Sequence, residues 1–187
     1  PVFVETLPLD VTVECSSVPE AVVLTVTDNC DAPGVVYAEE STQNADQNNA
    51  AHYNYTITRT WRSTDVSGNF TESTQVIRVQ DVTKPTITDV ADITVNCQDV
   101  TTSSATGTAT GTDICSAIVI TQSDVSTQNT DASTYDYYNY TITRTWRSTD
   151  VTGNFTESTQ VIRVQDVTAP TITDVADITV NCQDVTT

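Results

Sequence analysis

The sequence describes an all-β chain that uses one fold more than once, and three observations carry this. About a fifth of the 187 residues are Thr, Val and Ile are frequent, and Gly numbers only five. Residues of that kind suit a pleated, half-buried surface and lose side-chain freedom in helices. Residues 53–102 return at 138–187, offset by 85 and changed only at Ser67/Thr152 and Lys84/Ala169. Finally, apolar and polar residues alternate in short runs, and no run keeps a helical period beyond two turns.

The elements follow in order. In the first copy, 2–4 ("VFV") and 11–15 ("VTVEC") are short alternating runs, and 21–28 ("AVVLTVTD") is an apolar run closed by Asp and Asn. The run 35–39 begins after Pro33-Gly34, and 53–64 and 70–80 are long alternating stretches. Between these last two, "DVSGN" (65–69) supplies the Gly/Asn turn of a hairpin, and "DVTGN" (150–154) does so in the second copy. Upstream, "TDNC" (27–30) answers "TDIC" (112–115), and "STQN" recurs at 41–44 and 126–129. "TVEC" (12–15) and "TVNC" (94–97 and 179–182) mark three starts, with three extra residues in the second copy between Cys97 and Cys115. A fixed period is the mark of an array. The units are expected at 1–83 and 84–168, with 169–187 opening a third. Six or seven strands per unit without a helix predict tandem immunoglobulin-like β-sandwiches in a linear array. A unit of this size is small but able to fold alone. With no Met, and a close partway into a third copy, the chain is expected to be an internal window of a longer polypeptide.

Formal net charge is −18, and Lys84 is the only lysine. A nucleic-acid surface needs clustered Lys and Arg, so that partner is excluded, and an anionic membrane surface is disfavoured. No apolar run approaches the roughly 18 residues of a membrane span, so no membrane insertion is expected. The acidic balance suits a solvated surface that keeps neighbouring molecules apart. His52 is the single histidine, and Tyr137 stands in its place in the second copy. No nucleophile–base pair, phosphate loop or Cys/His zinc spacing is present, so no catalysis is expected.

Alternation puts Tyr55, Ile57, Arg59 and Trp61 on one strand face, and Tyr140, Ile142, Arg144 and Trp146 on its copy. Trp61 and Trp146 are therefore expected in the core. Arg59 and Arg144, on the same face, must snorkel, stack on an aromatic ring or pair with an acid such as Glu72.

"DVTKP" and "DVTAP" at the joints, "DVTVEC", "LTVTDNC", "YTITRTWRSTDVSGN" and "TQVIRVQD" resemble the hyalin-type (HYR) repeat, in the version strung through giant surface adhesins of gliding bacteria. The resemblance covers nearly the whole chain. It implies an immunoglobulin-like stalk or adhesin segment at the bacterial cell surface, exported by a dedicated secretion route. That version often carries four cysteines per unit. Here two are replaced, around 46–49 and at Ser67 or Thr152, so each remaining cysteine loses a partner.

Five cysteines remain: Cys15, Cys30, Cys97, Cys115 and Cys182. Pairing within units would join Cys15 to Cys30 and Cys97 to Cys115. Successive antiparallel strands would leave Cys30 a full strand from Cys15, on the order of 25 Å at about 3.3 Å per residue. A disulfide needs Cα atoms within about 7 Å. In a head-to-tail array Cys15 lies at the bottom of one unit and Cys115 at the top of the next, so a Cys15–Cys115 staple is preferred. Cys30, Cys97 and Cys182 would then bond outside this window. The in-unit pairing and free or intermolecular thiols stay open as alternatives, and regular cysteines in either case fit an oxidising compartment.

The joint also offers the one candidate cofactor. Asp81 ends the first unit, and turns at the top of the second bring Asp113, Asp150 and Asn154 to the same level. Converging oxygens of this kind suit Ca²⁺, although the same residues are ordinary turn formers. Expected partners are neighbouring repeats, then surface polysaccharide or self-association into filaments. Two other classes remain beside the stalk: a carbohydrate-binding or spacer module of a large secreted enzyme, and a strand-exchanging fibre.

Overall fold

The computed structural model describes residues 1–179, 181 and 183. Its strands are β1 (Val2–Phe3), β2 (Val11–Glu14), β3 (Val26–Thr27), β4 (Val35–Ser41), β5 (Tyr55–Thr64) and β6 (Phe70–Gln80) in the first unit. The second holds β7 (Ile93–Asn96), β8 (Ile118–Ser126), β9 (Tyr140–Asp150) and β10 (Phe155–Gln165). They form two four-stranded sheets of the same plan, β2-β6-β5-β4 and β7-β10-β9-β8. In each sheet a long antiparallel hairpin is the centre, and a short strand joins it in parallel: Val11 lies opposite Ile77, and Ile93 opposite Ile162. The fold is all-β and sandwich-like, each sheet being covered on its inner face by a thinner second layer.

The hairpin turns form because Asp65 and Asp150 cap their own loops. Asp65 Oδ1 accepts from the backbone N–H groups of Ser67 and Asn69 at 2.9 and 2.8 Å. Gly68 and Gly153 take φ of 87° and 94°, the left-handed region in which a side chain is strained. Alternation then fixes the faces. Ile57, Arg59, Trp61 and Ser63 of β5 are buried, as are Ile142, Arg144, Trp146, Ser148 and Asp150 of β9. The apolar centre of the first unit is Ile57, Ile77 and Val79, with Val13, Val18 and Tyr55 against it. Ile142, Ile162 and Val164 repeat it in the second.

The second layer departs from expectation. The predicted strand 21–28 shrinks to Val26–Thr27, which pairs with β1. The chain just before β3 stays extended because its carbonyls are taken by side chains of the sheet below rather than by a ladder. Arg59 Nη2 donates to Pro19 O at 2.9 Å, and Trp61 Nε1 donates to Val22 O at 3.1 Å. In the second unit Thr86 N and Thr88 N donate to Thr112 O and Thr110 O, laying the same two segments side by side. Gly111 is required at this crossing, since a Cβ there would lie 2.2 Å from Thr86 O.

The three extra residues of the second unit lie in this layer, which makes the single-turn helix α1 (Ser103–Thr106) where a helix-free chain was expected. A second helical turn, α2 (Tyr135–Tyr138), precedes β9. As a result, identical strands find different partners. Arg144 donates to Thr106 Oγ1 and Thr101 O, each at 2.8 Å, and to both carboxylate oxygens of Asp124 at 2.7 and 2.8 Å. The Nε1 of Trp146, buried like Trp61, has no partner.

The acid expected beside Arg59 is also different. Arg59 Nε pairs with Glu39 at 2.8 Å, while Glu72 pairs with Arg62 at 3.2 Å. Strand register explains this: Glu39 lies opposite Arg59 across β4–β5, and Glu72 lies opposite Arg62 across β5–β6. Among the described residues no helix is long and apolar enough to cross a membrane.

Candidate functional site

The densest convergence of polar groups lies where the two units meet. The covalent link is short. Val82, Thr83 and Lys84 are exposed, and Pro85 behind them is buried in the second unit. Glu14, the last residue of β2, holds this link from below: its Oε1 accepts from the backbone N–H of Val82 and of Thr83, both at 3.2 Å. The proline ring fixes one more dihedral of the link.

Beside the link stands a second covalent connection. Cys15 and Cys115 are disulfide-bonded, with Cα atoms 6.0 Å apart and a sequence separation of 100. Neither in-unit pairing, Cys15–Cys30 nor Cys97–Cys115, forms, because both would use a sulfur already taken. Cys30 is free and exposed, and Cys97 is free and half-buried. Cys182 lies outside the described residues.

A third connection is polar. The 150–154 turn of the second unit rests on the end of the first. Asn154 Nδ2 donates to Asp81 O at 3.1 Å, and Thr152 Oγ1, whose one proton goes to Asp150, lies 3.2 Å from Asp81 Oδ2. The Lys84 ammonium sits 5.8 Å from the ring centre of Phe155, within reach of a cation–π attraction. Thr152 and Lys84, one from each of the two positions at which the copies of the long passage differ, thus meet at this joint.

Asp81, Asp113 and Asp150 each place one carboxylate oxygen within 4.8 Å of the others. They differ in how well they are satisfied. Asp150 accepts from Asn154 N, Asn154 Nδ2 and Thr152 Oγ1 at 2.8–2.9 Å. Asp113 Oδ1 accepts from the backbone of Cys115 and Ser116, but its Oδ2 is buried with no partner. Asp81 is only 4% exposed, and its Oδ1 is also unpartnered. Burial, then the charges of Asp113 and Asp150, push the Asp81 carboxyl up to about 6. Asp65, the counterpart of Asp150 at the far end of the first unit, has its carboxyl held below its ordinary value by the Asn69 side chain. The same turn therefore meets different surroundings at its two positions.

One expectation about ligands is corrected by this geometry. Asn154 turns its amide nitrogen, not its oxygen, toward the acids, so it is a donor that orients Asp81 and Asp150 rather than a metal ligand. A grouping of Glu14 and Asp81 with Cys115 offers no thiolate, because the Cys115 sulfur is in the disulfide. Sequence reasoning passed over Glu14, Thr152 and Lys84. The signals were the position of Glu14 next to Cys15 and the place of Thr152 and Lys84 at the two positions where the copies differ.

Of the other sequence-marked residues, Trp61, Trp146, Arg59 and Arg144 are buried core residues of their sheets, remote in role from the joint. His52 closes a single helical turn, its Nδ1 2.6 Å from Asn44 O.

No family model matches the chain, and no curated protein matches it. Among solved structures, the chain is similar to the crystal structure of Drosophila N-cadherin EC1-4, at 11% identity and a TM-score of 0.34. The match covers 83% of this chain and 47% of that one, so the chain spans about half the length of the cadherin structure.

Proposed function

We propose that this chain is a stalk segment of a long extracellular adhesin or surface filament, of the hyalin-repeat kind that its motifs resemble, at a bacterial cell surface and serving attachment or gliding. The observation that carries this is the Cys15–Cys115 bridge, which joins two units rather than closing one. A disulfide needs an oxidising compartment, which supports an extracellular setting. Two covalent connections and a polar seat at one joint restrict bending and twisting together, whereas a single three-residue link would leave a hinge. Cys97 stands in the second unit where Cys15 stands in the first, and Cys30 stands in the first where Cys115 stands in the second. In a longer array the same bridge recurs at every joint, and stiffness extends with the number of units. The role is mechanical rather than catalytic: a stiff acidic rod holds an adhesive region, or many weak faces for surface polysaccharide, away from the cell.

The test is cryo-electron imaging of the native protein sheared from its source, before and after reduction. A straight beaded filament with a spacing of roughly 40 Å, set by strands of about ten residues plus a joint, is expected, and reduction should make it bend. A compact particle, or a filament equally straight when reduced, would contradict the reading.

A further inference from the structure

The three carboxylates at the joint present an electrostatic problem that the protein's own residues do not solve. Asp81 is 4% exposed, and neither its Oδ1 nor the buried Oδ2 of Asp113 receives a hydrogen bond. Unpartnered buried carboxylate oxygens are rare because each forfeits its hydration without compensation. Here two occur side by side. The nearby nitrogen donors are spent elsewhere: Asn154 Nδ2 goes to Asp81 O and Asp150 Oδ2, and the backbone of Cys115 and Ser116 goes to the other oxygen of Asp113. No guanidinium pairs with any of the three: the arginine ion pairs go to Glu39, Glu72, Asp124, Glu157 and Asp92 instead.

We propose that Asp81, Asp113 and Asp150 bind one divalent cation, with Ca²⁺ the fitting ion, and that the ion locks the two units together. Distance supports a shared ion: oxygens around Ca²⁺ lie at about 2.3–2.6 Å from it, so two ligands of one ion are at most about 5 Å apart. The three oxygens here fall within 4.8 Å of one another. Three carboxylates from separate segments, with water filling the rest of the shell, suit the larger and more tolerant Ca²⁺. Mg²⁺ demands near-octahedral geometry and gives up its water reluctantly. The ligands come from both units, Asp81 from the first and Asp113 and Asp150 from the second, so binding requires a closed joint. This concerns the joint alone and is independent of which surface the array serves.

Titration of the chelator-stripped, disulfide-intact chain with CaCl₂, and in parallel with MgCl₂, by calorimetry and thermal unfolding is the test. The expected result is one Ca²⁺ per two-unit chain, a clear rise in unfolding midpoint, and a much weaker Mg²⁺ response. Asp81→Asn should remove the Ca²⁺ response and at the same time raise the midpoint of the metal-free protein at neutral pH, because it deletes one of three crowded charges. That gain separates a lost ligand from a damaged fold. Asp65→Asn, in the counterpart turn at the far end of the first unit, should leave Ca²⁺ binding intact. The proposal is overturned if millimolar Ca²⁺ gives neither heat nor a shift, or if Asp81→Asn binds Ca²⁺ like the parent.

Discussion

Arg144→Ala should destabilise the second unit by about 3 kcal/mol, and the matching Arg59→Ala should cost the first unit clearly less. Removing one partner of a buried ion pair costs about 3–5 kcal/mol because the remaining groups are stranded. Arg144 leaves Thr106 Oγ1, Thr101 O and both oxygens of Asp124 without their donor. The Asp124 side chain is 37% exposed and can rehydrate, which holds the cost to the lower end. Arg59 strands only Glu39 and Pro19 O, and Glu39 is likewise open to water at 40%. Arg144→Met, which refills the volume without the charge, should recover part of the loss. Each unit holds one tryptophan, so urea denaturation followed by fluorescence reads them separately, with Trp61 or Trp146 changed to Phe in turn. Equal losses at the two arginines would show that the covering segment carrying α1 does not grip Arg144 as the contacts indicate.

The second large effect belongs to the bridge. In the double substitution Cys15→Ser, Cys115→Ser, the second unit should lose between about 3 and 5 kcal/mol. When that unit unfolds with the bridge intact, its chain stays pinned to the folded first unit at the 82–84 link and again at Cys115. Closing a loop of a few tens of residues restricts the unfolded chain by about 3–4.7 kcal/mol in the chain-entropy account. For a unit of this size that corresponds to a fall in midpoint of roughly 12–40 °C. The first unit should lose at least as much, because when it unfolds it is pinned at Cys15 and at the 82–84 link, which closes a longer loop. Small-angle scattering should show the variant sampling bent shapes that the parent does not. An unchanged midpoint together with an unchanged scattering curve would mean that the bridge constrains neither folding nor shape.

How far the sequence went is explained by range. Alternation in "YTITRTWRST" is a local property, so the sheets, the hairpin turns and the inward faces are legible from residue order alone. Register is less local. The acid beside Arg59 comes from β4, across a connection whose length does not set the pairing. The pairing of Arg62 with Glu72, by contrast, follows from counting outward from the 65–69 turn. The segment 21–28 reads as a strand by composition, but its fate is decided by side chains far along the sequence: Trp61 takes the Val22 carbonyl, and Arg59 takes that of Pro19 just before it. At the joint, the acids and cysteines are visible as residue types at matching ends of the units. Which way the Asn154 amide turns, and that Glu14 would grip the link, depend on atoms brought together only after both sheets have formed.

The stapled joint is the centre of this account, and a disulfide map of the unreduced protein tests it most directly. A protease cutting after Glu and Asp separates all four cysteines concerned, at Glu20 and Asp28 between Cys15 and Cys30 and at Asp99 and Asp113 between Cys97 and Cys115. Mass spectrometry of the digest should find the peptide beginning at Cys15 joined to the one containing Cys115. A Cys15–Cys30 or Cys97–Cys115 peptide in its place would mean that each unit closes on itself and that the joint is a hinge.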